Sequence, residues 1–403
     1  MTSLHISALQ KDATTPSLPP FDYHQRTRLI FGAGCIKQLP QVAAELRGHR
    51  VLLVTDPGIQ KAGHCDRAVR LLEATGHHVW VFDSVPENPT TADVDRCVAY
   101  AKPSGIDLII GLGGGSSMDC AKGANFLLTN GGRMQDYRGI GKAALPMLPM
   151  IAIPTTSGTG SEAQSFAVIA DADTHMKMAC GDVKAACRVA LLDPELTVSM
   201  PRGVTAATGI DAMTHAMESY VTTKRNTVSQ MFARQAWSLL AGAFSNVLTS
   251  PDDLDARGRM QLGAFLAGAA IENSMLGAAH AAANPLTAMF GTTHGAAVGL
   301  MMPHVIRWNC DFVGSSYHEL ALTAGWISSD ATESEAADVL AERFTEQLRL
   351  AGMKTQLLHS VERPVCDEEI RQLASEAALQ WTGTFNPVPM NPAAFEQLYR
   401  NAV

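Results

Sequence analysis

The chain has 403 residues, 46% hydrophobic and 17% charged, a composition that packs a globular protein and a length that suggests two domains. Its net charge of −8, without any Lys/Arg-rich run, offers no basic face to nucleic acid, and no apolar stretch reaches the ~20 residues that cross a bilayer. Eight cysteines lie scattered without a CxxC pair, so the expectation is small buried thiols in a reducing, cytoplasmic compartment rather than a disulfide framework.

The opening MTSLHISALQKDATTPSLPP has one Lys and no apolar core of a secretion signal, and reads as a lead segment over 1–20. Beyond it, VLLVT (51–55), VWVF (79–82), DLIIGLGGG (107–115) and MIAIPTT (150–156) are continuous apolar runs bounded by Gly, Pro or Asp. Such runs suit parallel strands covered on both faces. Between them, 59–75 and 91–102 carry helical spacing. Strand and helix in alternation predict a doubly wound, Rossmann-like parallel-sheet domain over 21–200. DPELTVSMPRG (193–203) reads as a hinge, after which only helical periods occur, so 201–403 is expected to be an all-α domain.

GLGGGSSMDCAKG (111–123) follows a strand and opens a helix. Close backbone approach and helix N-terminal N–H groups make such a loop a pyrophosphate site, with a merely tight turn as the bland alternative. It matches neither GxGxxG nor GxxxxGK[ST]. PTTSGTGSE (154–162) repeats the same chemistry after another strand. Asp56, ending VLLVT, can accept from a ribose diol and repel a 2′-phosphate, favouring NAD over NADP, or it only opens the turn DPG.

In TAATGIDAMTHAMESY, Asp211 and His215 stand four apart on one helical face among apolar neighbours. A divalent metal or a plain Asp–His hydrogen bond would serve this pair equally. His280 and His294 lie in a second apolar, Gly/Ala-rich stretch and need partners of their own. One carboxylate with three imidazoles suits Fe²⁺ or Zn²⁺ with a position left open for substrate. His304, after Pro303, reads as packed and hydrogen-bonded. His5, His24, His64, His77, His78, His175, His318 and His359 read as surface or packing residues.

With GGGSSMDCAKG, TNGGRMQDYRG, DPELTVSMPRGVTAATGIDAMTHAMESYV, HGAAVGLMMPHVIRWN and NPVPMN in place, the chain from about residue 21 onward resembles the iron-containing (group III) alcohol dehydrogenases. The likeness is greatest to their methanol and 1,3-propanediol dehydrogenase branch. The architecture implied is the one shared with dehydroquinate synthase.

The resemblance implies metal ligands at Asp211, His215, His280 and His294, with Fe²⁺ usual and Zn²⁺ the alternative. It implies NAD contacts at Asp56, Asn88, Gly114, Gly115, Ser116, Thr155, Thr156, Thr159 and Lys177, and a homodimer or higher homo-oligomer. The implied reaction is hydride exchange between a small alcohol or aldehyde and NAD. Asn284 departs from the family, which commonly has histidine there; it can orient water or a hydroxyl but cannot take up a proton near neutral pH. Phe166, Phe290 and Trp381 are candidate pocket walls. A lyase of the dehydroquinate synthase kind is a weaker alternative, since few basic residues flank the metal motifs. A non-catalytic nucleotide-binding relative is another, and four intact ligands count against it.

Overall fold

The computed structural model describes residues 20–174 and 176–403. The lead segment, Pro20 apart, and with it His5, lies outside the described residues, as does His175.

Among the described residues nine strands precede residue 200: β1 (Arg28–Phe31), β2 (Arg50–Val54), β3 (His78–Phe82), β4 (Leu108–Gly113), β5 (Gly139–Ile140), β6 (Met150–Pro154), β7 (Phe166–Ala170), β8 (Lys177–Gly181) and β9 (Val189–Leu192). Six form one parallel sheet in the order β1-β9-β6-β4-β2-β3. The helices on this sheet are α1 (Leu39–Glu45), α2 (Pro57–Lys61), α3 (His64–Glu73), α4 (Thr91–Ala101) and α5 (Gly115–Asn130).

The continuous apolar runs are explained by two buried faces. Val51, Leu53, Leu108 and Ile110 pack with residues of α1 and α3, while Leu52, Val54 and Ile109 pack with α4 and α5. Side chains alternate between the faces, so every strand position must be apolar. The doubly wound expectation therefore holds.

Three details differ from the sequence reading. The helical run 59–75 is two helices, broken at Gly63, whose φ is 78°. The four-residue strands β1 and β9 are too short to show a period. A second, three-stranded sheet, β5-β8-β7, was also not foreseen.

After β9 the described chain is helical. A 3-10 turn at Pro194–Thr197 leads into α6 (Arg202–Val221), α7 (Thr227–Thr249), α8 (Leu254–Glu272), α9 (Ala278–Phe290), α10 (His294–Thr323), α11 (Glu333–Leu350), α12 (Leu357–Ser360), α13 (Asp367–Ala378) and α14 (Pro392–Ala402). A single core joins them, with Met213, Met217, Trp237, Phe244, Phe344 and Phe395 among its larger members. Its abundant Ala and Gly permit close helix approach.

The two halves meet at the loop after β6. Gln261 on α8 donates to the Pro154 carbonyl at 2.9 Å, and a Cβ on Gly268 would fall 2.4 Å from the Gly160 carbonyl. Six of the eight cysteines are buried and all are unpaired; Cys366 is exposed and Cys310 partly so, against the expectation of burial.

Candidate metal centre and cofactor cleft

Helix α6 is buried from Gly209 through Val221, so its polar side chains must find partners inside the protein. Asp211 and His215 point from one face of it. His280, the third residue of α9, and His294, the first of α10, arrive from the second apolar stretch.

The four converge on one atom. Asp211 Oδ1 lies 3.3 Å from His280 Nε2, 3.4 Å from His215 Nε2 and 3.7 Å from His294 Nε2. The His215 and His280 rings stack at 4.7 Å, with His294 tilted at 5.5 Å from His280. The donor atoms of Asp211, His215 and His280 all lie within 4.8 Å of one another. His294 stands just outside that tight group and has the most exposed side chain of the four, 30% against 7% or less.

Asp211 Oδ1 and His280 Nε2 have no hydrogen-bond partner despite being buried, and neither do the Nδ1 atoms of His215 and His294. Ligands bound at about 2.1 Å in a tetrahedron stand about 3.4 Å apart, close to the 3.3, 3.4 and 3.7 Å that separate Asp211 Oδ1 from the three imidazoles. The orphaned Asp211 Oδ1 and His280 Nε2, which face each other, and this spacing fit a divalent cation.

The electrostatics agree. Burial works to raise the Asp211 pKa, but His215, His280 and His294 outweigh it and hold the carboxyl well below its usual range. Burial lowers His294 to about 3, with Lys177 adding to the shift and Asp211 opposing it. His215 is also lowered by burial. Burial would lower His280 too, yet Glu218 and Asp211 push it up to about 9. Two imidazoles are thus neutral near pH 7, the form in which a histidine ligates.

Glu218 is the residue that sequence reading missed. It lies seven positions after Asp211, on the same face of α6, with Oε2 2.5 Å from His280 Nδ1. The readable signal was a third ionisable residue, D-x3-H-x2-E, in an otherwise apolar helix.

Asn284, one turn beyond His280, donates from Nδ2 to Gln380 Oε1 at 3.0 Å, so its amide is fixed rather than free. Phe166 and Trp381 meet with ring centroids 6.3 Å apart, joining the two halves. Phe290 stands apart from them, beneath the Arg363 guanidinium at 5.4 Å. His304 is half-buried, with no hydrogen bond to its ring among the described residues; burial lowers its pKa to about 4, and Arg307 adds to the effect.

Strand order reverses between β2 and β4, and the crevice beyond the C-terminal ends of such strands is where open α/β sheets bind ligands. Asp56 follows β2 and the Gly-rich loop follows β4. Asp56 accepts from Gly58 N, Ile59 N and Ser117 Oγ at 2.9, 3.1 and 3.1 Å, so its carboxylate caps α2 as well as facing the loop. Asp56 thus opens the turn, and it does so at the edge of the crevice.

Gly114 caps α5 and Gly115 opens it, leaving that 16-residue helix's first N–H groups at the crevice. The Asn88 N–H donates to Ser116 Oγ at 3.2 Å. The second loop packs against the first: a Cβ on Gly115 would lie 2.7 Å from Thr159 Cγ2, and one on Gly114 3.3 Å from Thr156 Cγ2. Thr155 is buried with its hydroxyl unpartnered. Lys177 opens β8 with an exposed side chain, yet its ammonium is sufficiently enclosed that desolvation lowers its pKa, with Asp211, Asp119 and Glu87 opposing.

Comparison with known proteins identifies relatives over nearly the whole chain. A family model described as "Iron-containing alcohol dehydrogenase" matches residues 26–194, and one described as "Fe-containing alcohol dehydrogenase family, C-terminal" matches 205–403. The chain is 31% identical to alcohol dehydrogenase 4 of Schizosaccharomyces pombe over 98% of its own length and 92% of that protein's. It is 31% identical to the NAD-dependent methanol dehydrogenase of Bacillus methanolicus, over 93% of this chain and 97% of the relative. A crystal structure of 1,3-propanediol oxidoreductase superposes with a TM-score of 0.91 at 30% identity, covering 96% of this chain and all of that one. Sequence, fold and site converge: the chain belongs to the iron-containing alcohol dehydrogenase family.

Proposed function

We propose that this protein is an alcohol dehydrogenase or aldehyde reductase that holds one divalent ion on Asp211, His215, His280 and His294 and exchanges hydride between a small primary alcohol or diol and NAD. The carrying observation is the convergence of three imidazole Nε2 atoms on one buried, unpartnered oxygen of Asp211. Fe²⁺ is the expected ion and Zn²⁺ the alternative; both suit an N/O ligand set of this kind. Such an ion supplies Lewis-acid stabilisation of charge developing on the alcohol oxygen, and the nicotinamide supplies the hydride acceptor.

The chain's own residues bind and orient. The first N–H groups of α5, at Gly114, Gly115 and Ser116, meet the pyrophosphate, with the hydroxyls of Thr155, Thr156 and Thr159 opposite and the Lys177 ammonium nearby. Asp56 and Asn88 hold the adenosine ribose, and the Asp56 charge repels a 2′-phosphate. Asn284 offers a fixed amide that does not titrate, so it orients the water and ribose hydroxyls through which the alcohol proton leaves without itself taking the proton up. Phe166 and Trp381 close the cleft from its two sides and exclude water.

The finer expectations carry over with this reading. Six buried, unpaired thiols support a reducing, cytoplasmic setting, and no described helix is long and apolar enough to cross a membrane. Assembly as a homodimer or larger homo-oligomer is the state the resemblance implies, and light scattering of the eluted protein measures it.

Chelation followed by add-back of single metals tests the reading, with NADH formation followed over a panel of alcohols. Activity should vanish with the metal and return with Fe²⁺ or Zn²⁺. Undiminished turnover in metal-free protein would exclude the mechanism.

A further inference from the structure

Glu218 is almost fully enclosed, and both of its carboxylate oxygens are engaged at the start of α9. Oε2 lies 2.5 Å from His280 Nδ1, and Oε1 accepts the Ala279 N–H at 2.7 Å. Its position on α6, three residues after His215, lets one rigid helix reach both Asp211 and the back of His280. Asn386, from the segment before α14, also accepts from this helix start, at the Ala278 N–H, 3.4 Å away, but among the described residues it makes no hydrogen bond to His280.

We propose that Glu218 is a positioning residue for the metal centre, fixing the tautomer and the aim of His280. The inference rests on the metal reading above. A carboxylate only accepts, so Nδ1 carries the proton and the Nε2 lone pair is directed at Asp211 Oδ1, 3.3 Å away. The same carboxylate holds the first turn of α9, so the ring is steered by a rigid element rather than by its own rotamer.

Glutamine cannot reproduce this. It has one acceptor oxygen for two donors, so either the Ala279 N–H loses its partner or an amide N–H faces Nδ1. In the second case the ring proton shifts to Nε2 and blocks ligation.

The experiment measures Zn²⁺ affinity of the full-length protein by competition with a chromophoric chelator, alongside NADH affinity and circular dichroism. Glu218→Gln should weaken Zn²⁺ binding by roughly 10–100-fold while NADH affinity and the spectrum stay as in wild type. Asn386→Ala is the control for mere anchoring of α9 and should lower thermal stability without weakening Zn²⁺ tenfold. A Glu218→Gln protein that binds Zn²⁺ within about twofold of wild type overturns the proposal, and so does an Asn386→Ala protein weakened as much. Where Glu218→Gln fails to fold, Glu218→Asp, which withdraws the charge by one methylene, is read for the same two outcomes. Failure of the metal reading has a different signature: wild type binds no Zn²⁺, or His280→Ala binds it as tightly as wild type.

Discussion

His280 Nε2 and Asp211 Oδ1 face each other across 3.3 Å inside the protein, and neither has a hydrogen-bond partner. With Glu218 accepting the proton on Nδ1, a neutral His280 turns a lone pair toward a carboxylate lone pair. Only a proton or a cation between them relieves that contact, and in its absence His280 is pushed up to about 9, against the pull of burial, by Glu218 and Asp211. The site is built to hold positive charge.

Removing a ligand should therefore remove the ion rather than weaken turnover slightly. Asp211→Ala or His280→Ala is expected to drop bound metal well below one per chain and to lower kcat/KM by about 10³-fold or more, several kcal/mol of transition-state stabilisation. Metal analysis and steady-state rates on the same preparation check this. A variant with full metal and wild-type kcat/KM would remove that residue from the set.

The two glycine-rich loops touch where Gly115 meets Thr159, and a Cβ on Gly115 would lie 2.7 Å from the threonine methyl. Gly115→Ala should spread the loops and weaken NADH binding by about tenfold, near 1.4 kcal/mol, with metal content unchanged. Fluorescence titration with NADH measures the loss.

Asp56 supports α2 through Gly58 N and Ile59 N and also faces the crevice. Asp56→Ser keeps an N-cap acceptor and removes the charge. The ratio of kcat/KM for NAD over NADP should fall by about tenfold or more, while thermal stability changes little. An unchanged ratio would reduce Asp56 to its capping role.

Glu162 ends the second loop, and burial pushes its carboxyl up to about 7, with Lys122 opposing and Asp119 adding. A raised carboxyl pKa means that the folded state binds more protons than the unfolded one between about 4.5 and 7, so stability falls as pH rises through that window. The loss amounts to about 3 kcal/mol. Glu162→Gln should flatten the dependence and be the more stable protein at pH 8, as urea unfolding at a series of pH values would show.

Gly160 has a φ of 61°, and a Cβ there would meet the Gly268 backbone at 2.7 Å. Gly160→Ala combines backbone strain with a clash between rigid elements, and should cost about 2–4 kcal/mol in denaturant unfolding. A cost below about 0.5 kcal/mol would mean that the halves are not packed closely at this loop.

The sheet was legible because a strand buried on both faces must be apolar throughout, as β2 and β4 are. Strands β1 and β9 were not, since four residues carry no period. The cluster of Asp211, His215, His280 and His294 was legible because ionisable residues in apolar helices are costly unless they serve some purpose. Glu218 fits the same rule, but its partner, His280, is 62 residues away, and only the fold brings them together. Asn284 stands out in sequence as a side chain that can orient water but cannot take up a proton, whereas its tie to Gln380, 96 residues on, has no local signature.

X-ray absorption at the iron edge of Fe²⁺-loaded protein tests the centre most directly. Three imidazole nitrogens and at least one carboxylate oxygen are expected at about 2.0–2.2 Å, with one imidazole signal lost in His280→Ala. A shell containing sulfur, or one unchanged in His280→Ala, would contradict that ligand set.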